Sequence, residues 1–248
     1  MIKRFFDITA SAFGLVLASP VLLPVMFLVW LQDKHSPFYV ADRVGRHDLP
    51  FKMIKLRSMV INADKTGIDS TAANDTRITA VGHFIRRYKL DELTQLWNVL
   101  KGDMSLVGPR PNVKRETDLY TPVEKKLLRV KPGITDISSI VFSDEGDILK
   151  GQSDPDIAYN QLIRPGKSLL GLLYIENQSF ALDICICFLT LIAIFSRKKS
   201  LSGVHIILKS ISAPDHVIQL AQRRRPLFPM PPPGADRIVT SRDGSPYL

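Results

Sequence analysis

A long run without charged side chains dominates the N-terminal part of the chain. It extends from Ile8 to Gln32, which is enough residues for a helix that crosses the hydrocarbon core of a bilayer. Lys3 and Arg4 precede the run, Lys34 follows it, and no small-residue cleavage pattern ends it. The sequence therefore predicts an uncleaved membrane segment, and the cations at both ends leave its orientation open.

Two prolines interrupt this run. Pro20 has no amide hydrogen and disfavours helical geometry at Ser19, and Pro24 repeats the effect one turn later. The Ser19 hydroxyl is one candidate partner for a backbone carbonyl that is freed in this way. We therefore predict a bend in the middle of the run, either in a kinked spanning helix or in a re-entrant hairpin that returns to the same membrane face.

The composition favours an anionic partner. The 33 Lys and Arg residues outnumber the 24 Asp and Glu residues, which gives a net charge of +9, and phosphate, nucleic acid and membrane all fit this charge. A mean hydropathy of +0.06 is high for so charged a chain, so its apolar residues are concentrated in a few segments, which favours lipid. Cys185 and Cys187 lie two apart in an apolar run, which excludes a disulfide framework and a cysteine zinc site.

Hydrophobic periodicity and turn residues predict an α/β fold that is mostly helical. Short strands or irregular structure are expected over residues 36–60, and a polar surface loop over 62–78. Helices are expected over 84–100, over 121–130 with Thr121 as the N-cap, and over Phe180–Phe195. The last of these suits either a core helix or one that lies in a membrane interface.

An acidic pair, Asp91 and Glu92, stands near the start of the predicted helix. Carboxylates are common in the first turn of a helix, where the backbone dipole favours them, so helix capping is one interpretation. Several cations flank the pair, and they favour a functional site instead. These cations are Arg86, Arg87, Lys89, Lys101 and Arg110.

Two basic motifs have the character of phosphate ligands. Arg110 stands between two prolines, which fix its backbone and aim its guanidinium, although a rigid turn with a solvated arginine would have the same sequence. Lys55 and Arg57 fall on one side of a predicted strand, although edge-strand surface cations would do so too. Carboxylates and cations beside a membrane segment are the groups that phosphoryl transfer to a lipid phosphate needs.

These motifs resemble those of the bacterial sugar transferases, the monotopic phosphoglycosyl transferases that act on polyprenol phosphate. The most specific stretch is NVLKGDMSLVGPRP, residues 98–111, and the match runs from about Lys3 to about Leu191. Its other parts are Lys3-Arg4 with Phe6-Asp7, Ser19-Pro20, Pro37-Phe38-Tyr39, Phe51 to Met59, Asp75 with Arg77-Ile78-Thr79, Leu90-Asp91-Glu92-Leu93 and Pro132-Gly133-Ile134-Thr135.

The resemblance implies transfer of a sugar 1-phosphate from a UDP-sugar to undecaprenyl phosphate, with release of UMP, which initiates a surface polysaccharide or glycan. It implies that Asp91 is the nucleophile, that Glu92 binds Mg²⁺, and that Ser19-Pro20 is the break of a re-entrant membrane helix. It further implies that the catalytic domain faces the cytoplasm at the bacterial inner membrane. The residues expected to contact phosphates or nucleotide are Lys55, Arg57, Arg86, Arg110 and Asp183.

On this basis we divide the chain into four parts. Residues 1–34 are the membrane hairpin, 35–203 the compact cytosolic catalytic domain with interfacial amphipathic helices, and 204–225 a basic extension. Residues 226–248 form a Pro-rich tail that we predict to be disordered. The sequence leaves a homodimer open.

The chain also departs from the family pattern at two places. Thr94 stands where the family has a proline, a change that a helix accepts readily. A Gly-Arg pair follows Pro-Gly-Ile-Thr in many members, whereas this chain has no arginine between Lys131 and Arg164, so the nucleotide or sugar contact of this region is left unassigned. Two other classes stay open: a catalytically silent scaffold and a nucleic-acid-binding membrane protein. No stacking motif supports nucleic acid as a partner.

Overall fold

The computed structural model describes residues 2–63, 71 and 75–242. This part of the chain is mostly helical, as predicted, with two small two-stranded sheets. The strands are β1 (Phe38–Val44), β2 (Pro50–Leu56), β3 (Ser105–Val107) and β4 (Gly133–Thr135). The helices are α1 (Ile2–Asp33), α2 (Ala80–Arg87), α3 (Leu90–Leu93), α4 (Leu96–Lys101), α5 (Lys114–Asp118), α6 (Ile137–Val141), α7 (Glu145–Leu149), α8 (Pro155–Ala158), α9 (Arg164–Glu176), α10 (Phe180–Phe195), α11 (Arg197–Ser210) and α12 (Asp215–Gln222). Short helical turns of other types lie at Arg46–Asp48, Glu124–Arg129 and Tyr159–Ile163.

Helix α1 is held by the rest of the protein at both of its ends. Near its start, the Asp7 carboxylate accepts hydrogen bonds from Ser105 Oγ at 2.9 Å and from the Leu106 amide at 3.1 Å. Near its end, the Asp33 carboxylate accepts two hydrogen bonds from the Arg57 guanidinium, at 2.5 and 2.7 Å. The two ends of this 32-residue helix are therefore attached to the same domain.

Between its ends, α1 buries one face and exposes the other. Leu22, Val25 and Val29 are buried in a cluster with residues of β2, α2 and α3. Within the described residues, α1 is the one helix long and apolar enough to cross a membrane. Large apolar side chains cover its outer face, at Phe5, Ile8, Phe13, Val16, Leu17, Val21, Leu23, Phe27, Leu28, Trp30 and Leu31.

The prolines of α1 do not interrupt the helix. The Ser19 hydroxyl donates a hydrogen bond to the Val16 carbonyl at 2.7 Å. This carbonyl lies four residues before Pro20, which has no amide to bond to it, so the predicted role of the Ser19 hydroxyl is confirmed. We find one continuous helix across Ser19 and Pro20, where the sequence predicts a helix-break-helix, because the hydroxyl replaces the missing donor.

The two sheets bring distant parts of the chain together. Strands β1 and β2 form an antiparallel hairpin in which Tyr39 lies opposite Lys55, as the prediction of short strands requires. Strands β3 and β4 are parallel, with Val107 opposite Thr135. The second pairing places the turn that contains Arg110 next to the Pro-Gly-Ile-Thr segment.

The prediction of a single helix over residues 84–100 is wrong. Lys89 adopts a left-handed conformation with a φ of 54°, which separates α2 from α3. Of the apolar residues whose spacing carried the prediction, Ile85 and Leu96 are buried, whereas Tyr88 and Trp97 are exposed. The break makes Asp91 and Glu92 first-turn residues of a new short helix.

Three other segments predicted from the sequence differ in how well they match the structure. Thr121 Oγ accepts a hydrogen bond from the Glu124 amide at 3.0 Å, but the N-cap is Val123, and the helix at Glu124–Arg129 is shorter than predicted and of the 3₁₀ type. Helix α10 has the bounds that its apolar run predicts. Most of the loop predicted over 62–78 lies outside the described residues.

The C-terminal tail contacts the domain, in place of the disorder that its composition predicts. The Met230 amide donates a hydrogen bond to the Gln161 carbonyl at 3.0 Å, and Gln161 Nε2 donates one to the Val239 carbonyl at 2.7 Å. Thr121 Oγ also donates a hydrogen bond to the Pro233 carbonyl at 2.5 Å. These contacts order residues 226–242, whereas 243–248 lie outside the described residues.

Candidate active site

The acidic pair lies at the start of α3, beside the guanidinium of Arg110. Arg110 Nη2 donates a hydrogen bond to Glu92 Oε1 at 2.8 Å, and both side chains are mostly buried, with 29% and 19% of their surface exposed. A charge-assisted contact of this kind is stronger than one between neutral groups. The structure therefore brings together the two motifs that the sequence singled out.

A close backbone contact fixes the position of Arg110. The Gly133 amide donates a hydrogen bond to the Pro109 carbonyl at 3.0 Å, and the Gly108 amide donates one to the Thr135 carbonyl at 3.1 Å. A Cβ atom on Gly133 would lie 2.1 Å from the Gly108 nitrogen, a distance that no side chain permits. Both glycines are required for this approach, which holds the Gly-Pro-Arg-Pro turn against β4.

Lys55 reaches the same place from strand β2, which is attached to the helices by side-chain hydrogen bonds. Asn98, which is fully buried, accepts a hydrogen bond from the Ile54 amide at 2.9 Å and donates one to the Lys52 carbonyl at 2.7 Å. Thr94 Oγ1 donates to the Ile54 carbonyl at 3.2 Å. A proline at position 94 could not make this bond, so Thr94 adds a link between helix and strand.

The electrostatics of the site show how closely these groups lie. Burial raises the pKa of Asp91, an effect that the nearby Lys55 ammonium opposes and the Glu92 carboxylate reinforces. Burial also acts on Glu92, but the positive charges of Arg110, Lys89 and Lys55 outweigh it and lower the pKa of Glu92 to about 2. Glu92 is therefore a carboxylate at neutral pH, whereas burial shifts the pKa of its neighbour Asp91 upward.

Among the cations of the site, Lys55 has a lowered pKa. Burial, together with the charge of Arg110, lowers the pKa of Lys55 to about 8, although both carboxylates oppose the shift. Arg86, on α2, contributes to the positive field at Asp91. The predicted group of Lys55, Arg86 and Arg110 thus surrounds the acidic pair.

Arg57 and Asp183 have other partners. The guanidinium of Arg57 is bound by Asp33 and by the Ser36 carbonyl, so it attaches α1 to β2. Asp183, which is 2% exposed, accepts hydrogen bonds from Lys3 Nζ and Tyr174 Oη, both at 2.6 Å. Neither charge is among those that shift the pKa of Asp91 or Glu92. Both residues are thus ion-paired within the fold, and the prediction that they contact phosphates or the nucleotide stays a prediction.

Two charged residues that the sequence analysis did not identify stand next to Arg110. Glu145, the first residue of α7, is ion-paired with Lys167 of α9. The positive charges of Lys167 and Arg110 outweigh the effect of burial and lower the pKa of Glu145. No local signal marks either residue, because their relation to Arg110 arises only when α7 and α9 fold against the turn.

The carboxylates of the site suit one kind of metal. The described residues contain no cluster of three or more His, Cys, Asp or Glu side chains that could enclose an ion. Mg²⁺ does not need such a cluster, since it is held by one or two carboxylates together with water and substrate phosphates. The adjacent Asp91 and Glu92 supply this kind of incomplete ligand set, so the residues present fit Mg²⁺.

Comparison with known proteins gives the family. The UDP-galactose-lipid carrier transferase of Erwinia amylovora is 34% identical over 211 residues, which cover 79% of this chain and 41% of that protein. The undecaprenyl-phosphate galactose phosphotransferase of Salmonella typhimurium is 41% identical over 161 residues, which cover 59% of this chain and 34% of that protein. The exopolysaccharide production protein ExoY of Rhizobium meliloti is 34% identical over 209 residues, which cover 78% of this chain and 85% of that protein.

These relatives differ in length. The chain spans less than half of the Erwinia and Salmonella proteins and most of the Rhizobium protein. The family model described as bacterial sugar transferase matches residues 1–197, which include the acidic pair, the Gly-Pro-Arg-Pro turn and α1. The chain belongs to the bacterial sugar transferase family.

Proposed function

We propose that this protein transfers a sugar 1-phosphate from a UDP-sugar to undecaprenyl phosphate. The observation that carries the proposal is the position of Asp91 beside Glu92, within the positive field of Arg110 and Lys55. A carboxylate among cations can act as a nucleophile toward a phosphate whose negative charge the cations neutralise. The printed names of the relatives, which include an undecaprenyl-phosphate galactose phosphotransferase, support the same substrate classes.

The proposed reaction has two steps at one phosphorus atom. An Asp91 carboxylate oxygen attacks the sugar-linked phosphorus, the bond from that phosphorus to the bridging oxygen breaks, and UMP leaves with the electron pair. An oxygen of undecaprenyl phosphate then attacks the same phosphorus, and the bond to Asp91 breaks. The products are a sugar diphosphate lipid and the regenerated carboxylate.

The neighbouring side chains have distinct roles in this proposal. Arg110 and Lys55 bind the phosphate oxygens and stabilise the charge that develops on them. Glu92 would hold Mg²⁺ through the oxygen that Arg110 leaves open, and the bound ion would neutralise the diphosphate. The low pKa of Glu92, about 2, keeps that carboxylate ionised across the physiological range.

We propose that the protein is monotopic, with its domain at the cytoplasmic face of the inner membrane, and the attachments of α1 to the domain support the monotopic part of this proposal. Because both ends of α1 bind the same domain, a single crossing of the bilayer would have to break one set of contacts. A helix that stays on one side of the bilayer, with its exposed apolar face in the lipid, keeps both sets. Helix α10 contacts α1 through the rings of Phe180 and Phe6, which are 5.5 Å apart. Its outer face adds apolar residues to the same surface, at Phe180, Ile184, Phe188, Leu191 and Phe195.

The identity of the released nucleotide tests the proposed reaction. Purified protein in detergent is incubated with Mg²⁺, undecaprenyl phosphate and each of several UDP-sugars, and the nucleotide products are separated. We expect UMP release with at least one sugar, because the bond that breaks joins the two phosphates. Release of UDP would show ordinary glycosyl transfer and contradict the proposal, and no release with any sugar would favour a silent scaffold.

The lowered pKa of Lys55 predicts an alkaline limit to activity. Above pH 8, where its pKa lies, the ammonium is lost and phosphate binding weakens, so kcat/KM for the donor should fall about tenfold per pH unit. Lys55→Arg keeps the charge at high pH, so its alkaline limb should move upward. The measurement is the pH profile of kcat/KM from pH 6 to 10 for both proteins. Identical alkaline limbs would show that Lys55 does not set this limit.

A further inference from the structure

A cavity lies directly beside Arg110, on the protein's surface rather than within the apolar core. Arg110 is part of its wall and is also bonded to Glu92, so the guanidinium connects the cavity to the acidic pair. Polar and aromatic side chains complete much of the wall, at Asn112, Asp136, Ser138, Tyr159 and Lys167. A ligand group in this cavity would therefore be next to the phosphate that Arg110 binds.

Lys167 is a polar group of this wall whose hydrogen-bonding capacity is partly unused. Its ammonium is ion-paired with Glu145, lies 5.2 Å from the centre of the Tyr159 ring, and retains 16% of the side-chain exposure. An ammonium has three N–H donors, and the pairing with Glu145 uses one of them. The contact with the ring and the ion pair together fix the position of the ammonium.

Arg164 is another cation of the wall, and four of its five N–H donors are bonded within the fold. Its guanidinium donates hydrogen bonds to Glu124 at 3.0 and 2.5 Å, to Asn160 Oδ1 at 3.0 Å and to the Leu119 carbonyl at 2.6 Å. Glu124 is fully buried and Arg164 is 2% exposed. This pair makes the wall rigid, so Lys167 is the better candidate for contact with a ligand.

The chemistry of the wall favours a hydroxyl-rich ligand over a phosphate. Asp136 in the wall is buried and accepts hydrogen bonds from Ser138 and Ser139, and Glu145 adjoins the cavity, so the negative charges of the two carboxylates oppose a phosphate. Hydroxyl groups both donate and accept hydrogen bonds, so they suit a mixture of carboxylate, amide, hydroxyl and ammonium groups. Aromatic faces such as that of Tyr159 provide apolar contact for the C–H groups of a sugar ring.

We propose that this cavity binds the sugar of the donor and that Lys167, held by Glu145, donates hydrogen bonds to the sugar hydroxyls. The inference rests on the proposed function for its choice of donor. Lys167 is then a specificity-determining residue, and Glu145 is a positioning residue that acts through it.

Equilibrium binding separates the contribution of the sugar from that of the nucleotide. The full chain is used with Asp91→Asn, so that no turnover occurs, and binding of UDP and of UDP-linked glucose, galactose, N-acetylglucosamine and N-acetylgalactosamine is measured by calorimetry with Mg²⁺. We expect one sugar nucleotide to bind at least about tenfold more tightly than UDP. Adding Lys167→Met should remove most of this gain and leave the Kd for UDP within about twofold.

Two further variants test whether a loss of affinity comes from a change in folding. The double substitution Glu145→Gln with Lys167→Met leaves no unpaired charge, so it should keep the melting temperature and still lose the sugar-dependent gain. Lys114→Met is the matched control, because Lys114 is exposed and paired with Asp118, and it should change neither affinity.

Several results would overturn the inference. One is an unchanged gain from the sugar in both Lys167 variants, and another is an equal loss of affinity for UDP, which would assign the cavity to the nucleotide. A third is the absence of any gain over UDP in the parent protein. Binding is measured without turnover, so a failure of UMP release would count against the proposed function alone.

Discussion

Replacing Asp91 with asparagine should abolish sugar phosphate transfer, lowering kcat by at least about 10³-fold. The amide is close in size to the carboxylate, but it cannot form the acyl phosphate through which the proposed reaction proceeds. Asp91 is partly exposed at the start of α3 and makes no side-chain hydrogen bond that the fold depends on, so the melting temperature should change little. The measurement is UMP release together with thermal unfolding.

The control for this substitution is Asp42→Asn on strand β1. Asp42 is an exposed aspartate paired with Lys52, and its loss should leave transfer unchanged. Deamidation of the variant asparagine would restore the aspartate, so the protein must be verified by mass. Transfer at the parent rate by a verified Asp91→Asn protein would exclude Asp91 as the nucleophile.

Replacing Arg110 with methionine should lower kcat/KM by about 10²- to 10³-fold. The substitution removes a cation aimed at the phosphate and leaves the buried Glu92 carboxylate without its main partner. Burial then acts on Glu92 with less opposition, so the pKa of Glu92 should rise from its value of about 2. Activity should consequently be lost at a higher pH on the acidic side, because a protonated Glu92 cannot hold the metal.

Arg110→Lys distinguishes the charge from the shape of the guanidinium. It retains a positive charge beside Glu92, so the acidic limb of its pH profile should stay near that of the parent protein, while kcat/KM falls because one ammonium replaces a planar fork. Thermal unfolding of both variants reports any loss of structure. An acidic limb that does not move in Arg110→Met would show that Arg110 does not hold Glu92 in its ionised form.

Local patterns predicted the parts of the protein that local chemistry determines. The apolar run of α10 gives its bounds correctly, and the Ser19 hydroxyl bonds the carbonyl that Pro20 leaves free. The rigid Gly-Pro-Arg-Pro turn does place Arg110 beside Glu92. In each case a proline, an apolar periodicity or a hydroxyl constrains the backbone within a few residues, so one sequence window contains the information.

The sequence could not predict partners that come from a distant part of the chain. Arg57 shares a predicted strand face with Lys55, but Asp33 at the end of α1 binds its guanidinium. Asp183 is bound by Lys3, 180 residues away, and the relation of Lys167 to Arg110 depends on how α9 folds. The tail illustrates the same point, since its order comes from Gln161 and Thr121 rather than from its own composition.

The left-handed residue between α2 and α3 has a consequence for the site. Positive φ is typical of glycine, asparagine and aspartate, and Lys89 is none of these. The helical periodicity on both sides of Lys89 therefore predicts one continuous helix. The break instead places Asp91 and Glu92 in the first turn of α3, where the backbone dipole favours carboxylates. No side chain caps α3 by a hydrogen bond, and a position in its first turn is compatible with a role in catalysis.

The most direct test of the proposed mechanism is whether Asp91 carries a phosphosugar when the acceptor is absent. The purified full chain is mixed with Mg²⁺ and its preferred UDP-sugar, and the intact protein mass and the released nucleotide are measured together. We expect a mass gain of one sugar phosphate and release of about one UMP per chain. Both should be absent in Asp91→Asn, and the adduct should be lost when undecaprenyl phosphate is added. UMP release that requires undecaprenyl phosphate, with no adduct at any time, would contradict the mechanism.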